Sequence, residues 1–259
     1  MQRAKDPFWR VVGIMETLRG EGGCPWDREQ TAESLKPYLI EETYEVIEAI
    51  ETGDPESLEE ELGDLLLQVI FHAILAREKG EFDIFSVLEN LAEKLIRRHP
   101  HVFGDVKDVQ NSEDVVKHWE AIKGGEKNHS SVLSGVPRAL PALLQARRIQ
   151  EKAKRVGFDW SNVAPVWEKV KEEWGEFEEA CEKGDTSGMT REFGDLLFAL
   201  VNLSRFLGID AEDALRQCNF RFIDRFSHME RSLKEKGVDL DKVGLDVMDK
   251  YWEEAKKLE

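Results

Sequence analysis

Along most of the chain apolar residues recur at intervals of three and four, and strict alternation is scarce, so the pattern predicts helix almost throughout. The predicted helices cover residues 6–19, 32–51, 56–79, 83–98 and 112–123 in the first half, and 140–156, 163–182, 187–207, 211–235 and 246–257 in the second. Thr31, Ser112 and Asp210 are predicted N-caps, because a short oxygen-bearing side chain satisfies open N–H groups of a first turn. Gly53-Asp54 and Gly184-Asp185 read as turns that close one helix and open the next. Short turns between long helices make successive helices antiparallel neighbours. The predicted fold class is therefore all-α, with two tandem helical-bundle domains.

The doubling shows in the sequence itself. A shift of 131 residues lays Glu41-Glu42-Thr43-Tyr44-Glu45 on Glu172-Glu173-Trp174-Gly175-Glu176, and Gly53-Asp54 on Gly184-Asp185. The same shift lays Glu61-Leu62-Gly63-Asp64 on Glu192-Phe193-Gly194-Asp195. Further on the register slips slightly: Lys94 and Arg98 fall opposite Arg221 and Arg225, and Trp119 opposite Trp252. The predicted domains are residues 1–123 and 136–259, joined by a Gly/Ser-rich linker at 124–135.

Composition narrows the classes of function. Of 259 residues 53 are acidic and 36 basic, a formal charge of −17, which argues against a duplex nucleic-acid partner. Small phosphorylated ligands remain compatible, because a metal ion supplies the positive charge. Cys24, Cys181 and Cys218 are scattered, which predicts buried thiols in a reducing compartment. The first twenty residues are amphipathic and the longest apolar runs, near 65–75 and 196–207, are short and interrupted. A cytoplasmic protein without a membrane span is expected.

The acidic residues carry the chemistry. Each copy holds Glu-Glu-x-x-Glu on one helix and Glu-x-x-Asp on the next, with 15 residues between. On helix 32–51 the apolar stripe runs through Leu35, Leu39, Val46 and Ile50, with Glu42 in its middle, Glu45 at its edge and Glu41 toward the polar side. The second copy repeats this with Glu173, Glu176 and Glu172. Carboxylates on the buried side of helices are costly unless paired or bound to metal, and few cations stand at matching positions. Hard divalent cations with oxygen ligands resolve the conflict. Two Mg²⁺ sites follow: Glu42, Glu45, Glu61 and Asp64, and Glu173, Glu176, Glu192 and Asp195. Glu41 and Glu172 are expected either to support the ligating carboxylates from behind or to act as bases that orient water. Gly63 and Gly194, each costing a helix about 1 kcal/mol relative to alanine, suggest close approach of a neighbouring helix or a ligand.

These motifs resemble the signature of the MazG nucleotide pyrophosphohydrolases, within the all-α NTP pyrophosphatase superfamily. The likeness extends to CPWD at 24–27, LIEETYEVIEAI at 39–50, LEEELGDLLLQVIFHA at 58–73, RRHPHVFGD at 97–105 and VGFDW at 156–160. It implies helical domains, Mg²⁺ with Mn²⁺ as a substitute, homodimerisation, and cleavage of nucleoside triphosphates between the α and β phosphates. It also implies that the fourth long helix supplies cations to the triphosphate, here Arg221 and Arg225, with Lys94 and Arg98 in the first copy. Lys169 and Lys256 are further phosphate candidates, and Trp252 and Trp119 either stack on a base or pack the bundle.

The expected chemistry is water attack at the α phosphorus with pyrophosphate leaving, and Glu172, Glu173, Glu176, Glu192 and Asp195 as the catalytic set. Specificity is expected to be broad or of the housecleaning kind. The first copy has Pro55 to Glu60 where the second has Thr186 to Arg191, so equal activity of the two copies is in doubt. A competing reading is a regulatory module in which one copy, foremost the first, or both bind Mg²⁺–NTP without turnover. A di-iron bundle needs Glu-x-x-His partners, and Glu126-x-x-His129 falls in the linker. No GxxxxGK[ST] loop is present. Cys24, His72, His99 and His101 read as structural, since the second copy lacks Cys24's counterpart and carries Leu203 opposite His72.

Overall fold

A computed structural model describes residues 6–104 and 131–258, together with positions 106, 111, 114, 115, 118, 119 and 122. Among the described residues the secondary structure is helical, and no helix is long and apolar enough to cross a membrane. The chain divides into two compact units, residues 1–127 and 128–259.

In the first unit the helices are α1 (Pro7–Arg19), α2 (Pro25–Glu29), α3 (Lys36–Thr52), α4 (Pro55–Glu78), α5 (Ile84–Arg98) and α6 (Pro100–Phe103). Their starts follow from capping: Asp6, Asp54 and Asp83 each accept a backbone N–H of the first turn, the last at 2.8 Å from Ser86. Prolines stand in the first turn of α1, α2, α3, α4 and α6, where no intrahelical N–H is lost. Gly53 closes α3 at φ 67°, and Asp54 opens α4 at once, so the two helices form a tight hairpin. The core lies at the far end of α4, where Ile70, Phe71 and Ile74 pack with Val12 and Met15 of α1 and with Leu35. Arg19 is sealed into this region with its side chain 7% exposed, 2.7 Å from Glu78 and 5.3 Å from the centroid of the Phe71 ring.

The second unit contains α7 (Ala142–Arg155), α8 (Ala164–Lys183), α9 (Thr186–Phe206), α10 (Ala211–Glu235), a 3₁₀ turn at Leu240–Lys242 and α11 (Leu245–Lys256). Gly184, at φ 66°, makes the α8–α9 hairpin match the α3–α4 hairpin. Asp210 caps α10 through Glu212 and Asp213, as predicted. Val166, Val201 and Leu233 are the most deeply buried apolar side chains of this unit, one each from α8, α9 and α10.

Several expectations need correcting. Helix α3 starts at Lys36 rather than 32, because Thr31 and Ser34 exchange hydrogen bonds at 2.9 and 3.1 Å and close a separate turn. Short helices α2 and α6 stand in the intervals between predicted helices, where none was expected. Cys24 is half-buried, and Cys181 and Cys218 are exposed, because the helix faces that carry them are left uncovered within the chain. The same reason leaves Ile50 of the α3 stripe exposed. Positions 131–135, read as linker, pack on the second unit, with the Lys152 ammonium donating to the Ser134 carbonyl at 2.8 Å. The rest of that linker, Glu126 and His129 included, Ser112 and most of helix 112–123 lie outside the described residues.

Gly63 and Gly194 meet no neighbouring helix: a Cβ at either would find nothing within 4 Å. Close helix approach therefore does not explain them. Replacing Gly63 or Gly194 by alanine is expected to raise stability by about 1 kcal/mol each through helix propensity. Gly53→Ala and Gly184→Ala should instead cost about 1–2 kcal/mol, because each forces a side chain into the left-handed region. Urea unfolding of the four variants checks the opposite signs.

Candidate active site: two carboxylate clusters on helix hairpins

The hairpin geometry brings the predicted acids together. Residues three apart on a helix share a face, and an antiparallel partner sets a second such pair opposite. Carboxylate oxygens of Glu42 and Glu45 from α3 and Glu61 from α4 lie within 4.8 Å of one another. Glu173 and Glu176 from α8 and Glu192 from α9 do the same. Glu173 is 7% exposed and Glu42 half-buried, as their places in the apolar stripes predict, while Glu45 and Glu176 stand at the open edge. Asp64 and Asp195 are not in these groups of three. Asp64 is half-buried beside its cluster and presses its charge on Glu42 and Glu61. Asp195 is exposed and shares a cavity wall with Glu173. Glu41 and Glu172 are exposed on the outer side.

Like charges so close disturb one another's ionisation. Burial, a hydrogen bond with Glu45 and the charge of Asp64 raise the Glu42 carboxyl above its ordinary value. Desolvation and the charges of Glu45 and Asp64 raise Glu61. Desolvation at the cluster and the charges of Glu173 and Glu192 raise Glu176, although its outer side stays exposed. An all-oxygen donor set with excess negative charge suits a hard divalent cation. The residues present therefore fit the magnesium that the sequence suggested.

The two clusters differ in their counter-charges. In the second, Lys169 extends from one turn earlier on α8, and its Nζ lies 2.8 Å from Oε1 of both Glu172 and Glu173. Hydrogen bonds to Glu172 and then Glu173 push the Lys169 ammonium well above its ordinary value. Arg191 reaches Glu192 at 2.6 Å. The shift of 131 places Tyr38 and Glu60 at these two positions in the first copy. The expectation of few cations at matching positions thus holds for the first copy and fails for the second.

The cationic candidates on the fourth long helices sit over aromatic rings. The Arg225 guanidinium carbon lies 5.6 Å from the centroid of Trp252, which also packs against Phe222 at 4.9 Å. Arg98 lies over Trp119 at the same 5.6 Å, with His99 edge-on to that ring at 5.1 Å. Lys94 is half-buried, and Arg221 is exposed. Lys256 pairs with Glu253 at 2.5 Å. His99 Nδ1 is 2.7 Å from the Leu95 carbonyl, a local packing role.

Sequence reasoning missed a cavity of about 340 Å³ in the second unit, which runs from Lys169, Glu173 and Asp195 to Gln150, Asn202 and Arg205. Its polar wall is braced by Arg205, which holds Asp159 at 2.9 and 2.5 Å and the Asn202 side-chain oxygen at 2.7 Å. Burial pushes the Asp159 carboxyl up, but the bonds and charge of Arg205 outweigh it and hold the group below its ordinary value. The available signal was the polar Asn202 and Arg205 inside the apolar run 196–207.

Residues 30–103 and 163–230 each match the MazG nucleotide pyrophosphohydrolase domain. The chain belongs to the MazG family. It is 50% identical to the nucleoside triphosphate pyrophosphohydrolase/pyrophosphatase MazG of Thermotoga maritima, over 99% of this chain and 98% of that one. It is 45% identical to the nucleoside triphosphate pyrophosphohydrolase of Escherichia coli, over 96% and 97% of the two chains. A crystal structure of a mazG-related protein from Thermotoga maritima aligns at 31% identity with a TM-score of 0.38, covering 44% of this chain and 97% of the other.

Two outcomes follow for this MazG-family chain. Glu176→Gln removes a mutually repelled charge, so it should raise the melting temperature of the EDTA-treated protein by about 2–4 °C and shrink the gain on adding Mg²⁺, both readable by calorimetry. The depressed Asp159 carboxyl contributes stability that is present above its unfolded pKa of about 3.9 and is lost as pH falls through its lower folded value. Asp159→Asn should therefore be less stable than wild type at neutral pH and lose less on acidification below about pH 4, as seen in paired urea melts.

Proposed function

We propose that this chain, a nucleoside triphosphate pyrophosphohydrolase by family, is a Mg²⁺-dependent enzyme that converts NTPs and dNTPs to monophosphates and pyrophosphate at its C-terminal cluster. The observation that carries the reading is the convergence of Glu173, Glu176 and Glu192 within 4.8 Å, beside the Lys169 ammonium and opening into a cavity. Glu173, Glu176, Glu192 and Asp195 would hold the metal. Bound Mg²⁺, or Mn²⁺ in its place, neutralises phosphate charge and polarises a phosphoryl oxygen.

The remaining chemistry belongs to side chains of the chain. Lys169 is fixed by two carboxylates at the edge of the cluster, where its ammonium meets a phosphate oxygen of the incoming triphosphate. Glu172, exposed and already an acceptor, takes the role of orienting water and receiving its proton. The water oxygen bonds to the α phosphorus, the α–β bridging bond breaks, and the bridging oxygen leaves on pyrophosphate. Arg221 and Arg225 balance charge on the leaving group, with Trp252 holding the Arg225 plane in place.

The proposal extends to a homodimer. Trp174, Phe193, Phe222 and Ile223 are exposed in the single chain, and a second copy would cover such apolar side chains. A regulatory role for the N-terminal copy is favoured by one observation. Its cluster keeps the three convergent glutamates, but Tyr38 and Glu60 replace the two cations that flank the second cluster.

Product analysis with a panel of NTPs and dNTPs tests these points. Monophosphate and pyrophosphate are expected with Mg²⁺, and no turnover in EDTA. Glu173→Ala should lower kcat at least about 10²-fold, and Glu42→Ala should leave it within about threefold. Diphosphate and orthophosphate as products would overturn the bond assignment, and equal losses in the two variants would overturn the division of labour.

A further inference from the structure

Two of the three acids that converge in the second cluster already carry a cation supplied by the chain. Lys169 Nζ lies 2.8 Å from Oε1 of Glu173, the most deeply buried acid of the group, and at the same distance from Glu172. The lysine is the accessible partner, its side chain 35% exposed against 9% for Glu173. Arg191 places Nε and Nη2 at 2.9 and 2.6 Å from a single oxygen of Glu192. Glu176 is the one member of the three without an ion pair among the described residues, and the Lys169 charge opposes the rise of its carboxyl.

The first cluster is the same arrangement without these cations. Tyr38 and Glu60 stand at the positions of Lys169 and Arg191. The charges acting on Glu42 and Glu61 are those of other acids, Glu45 and Asp64 on both, with Glu48 and Glu60 also on Glu61. The contact that Glu42 makes with α4 is neutral, from the Gln68 amide at 3.5 Å. Both copies share the hairpin and the acidic motif. The pairing in the second therefore follows from two residues outside the motif rather than from the scaffold.

A divalent cation is drawn to a carboxylate by charge that nothing else has compensated. An ammonium in contact with Glu173 cancels part of that attraction and covers an oxygen that a metal would ligate. It must be drawn off before a cation binds well, and a phosphate chain offers it bonds as strong as those it leaves. Lysine suits the exchange, with a compact charge on a flexible stem and three N–H donors, two of them committed to Glu172 and Glu173. By linkage, a phosphate that helps the cation in is helped by the cation to the same degree.

We infer that Lys169, with Arg191 in support, is an internal counter-ion that makes cation binding at the C-terminal cluster depend on phosphate: it holds Glu173 until a phosphate chain takes it over, and free cation alone is held off. The inference deepens the proposed function and rests on it for the phosphate ligand. Lys169 thereby has a positioning role that precedes its contact with phosphate, because it keeps Glu173 paired and bare cations out.

The test measures Mn²⁺ retained with the protein on rapid ultrafiltration, with the first cluster silenced by Glu42→Ala and Glu45→Ala. This parent chain is expected to retain little Mn²⁺ alone and at least about fivefold more with the α,β-methylene analogue of ATP. Lys169→Met should bind Mn²⁺ without nucleotide about tenfold more tightly than the parent, and Lys169→Arg should restore the parent's behaviour. Adding Glu173→Ala to Lys169→Met should remove the gain. A lysine with a merely structural role would not yield a variant that binds metal better. Arg191→Met, at a side chain 71% exposed, should tighten Mn²⁺ binding by about threefold. It decides the matter if Lys169→Met fails to unfold cooperatively, and unchanged affinity there would overturn the inference. So would a parent that retains Mn²⁺ equally with and without the analogue, or a folded Lys169→Met with unchanged or weaker Mn²⁺ binding. The expected pattern in a protein that releases no pyrophosphate from ATP would keep the counter-ion role and overturn the hydrolytic reading instead.

Discussion

Mutual repulsion among carboxylates held on the inner edge of a helix hairpin is the constraint around which both units are arranged. Each hairpin spends a glycine in the left-handed conformation, followed by an aspartate at the next helix's N-cap position, to reverse the chain in two residues, and in the first hairpin that aspartate, Asp54, caps α4 through its side chain. That tight reversal is what sets Glu42 and Glu45 against Glu61, and Glu173 and Glu176 against Glu192. An apolar filling of the same space would be more stable in the absence of ligand. The cost is borne locally, in raised carboxyl groups, and a divalent cation held there would offset it.

The two units show the same scaffold put to two uses. In the first, the far end of α4 is dry core: Phe71 and Ile74 fill it, and Arg19 is sealed against Glu78 and the Phe71 ring. In the second, the same positions on α9 carry Asn202 and Arg205, and a polar wall replaces the hydrophobic one. Two differences at one-turn spacing on a single helix face thus stand where packed core gives way to a polar cavity wall. The change reaches the carboxylate end as well, where Lys169 and Arg191 counter the carboxylates that Tyr38 and Glu60 leave uncountered.

Much of the site was legible in the sequence because helical periodicity is a local property. The places of Glu42 and Glu173 within apolar stripes predicted their partial burial, and the Gly-Asp turns predicted the hairpins that pair the two motifs. The residues missed were those whose meaning depends on a third element. Gln150 lies on α7, far from the acidic motifs in sequence, and its significance appears only once α7 packs on α9 and its amide nitrogen meets the Phe198 carbonyl. The supposed contact of Gly63 and Gly194 with a neighbouring helix failed for the same reason, since spacing along one helix says nothing about what stands across from it.

What the sequence by itself determined was the set of elements and their duplication: helix periods, caps, turn glycines and the acidic pairs are written in neighbouring residues, and their physics is short-ranged. Family membership followed from the same strings. Only the tertiary structure decided which carboxylates touch, which of the two clusters meets a cation, and that one unit keeps a cavity where the other keeps a core. Those outcomes depend on side chains from three helices competing for one volume, and close packing admits a single solution that no one helix contains.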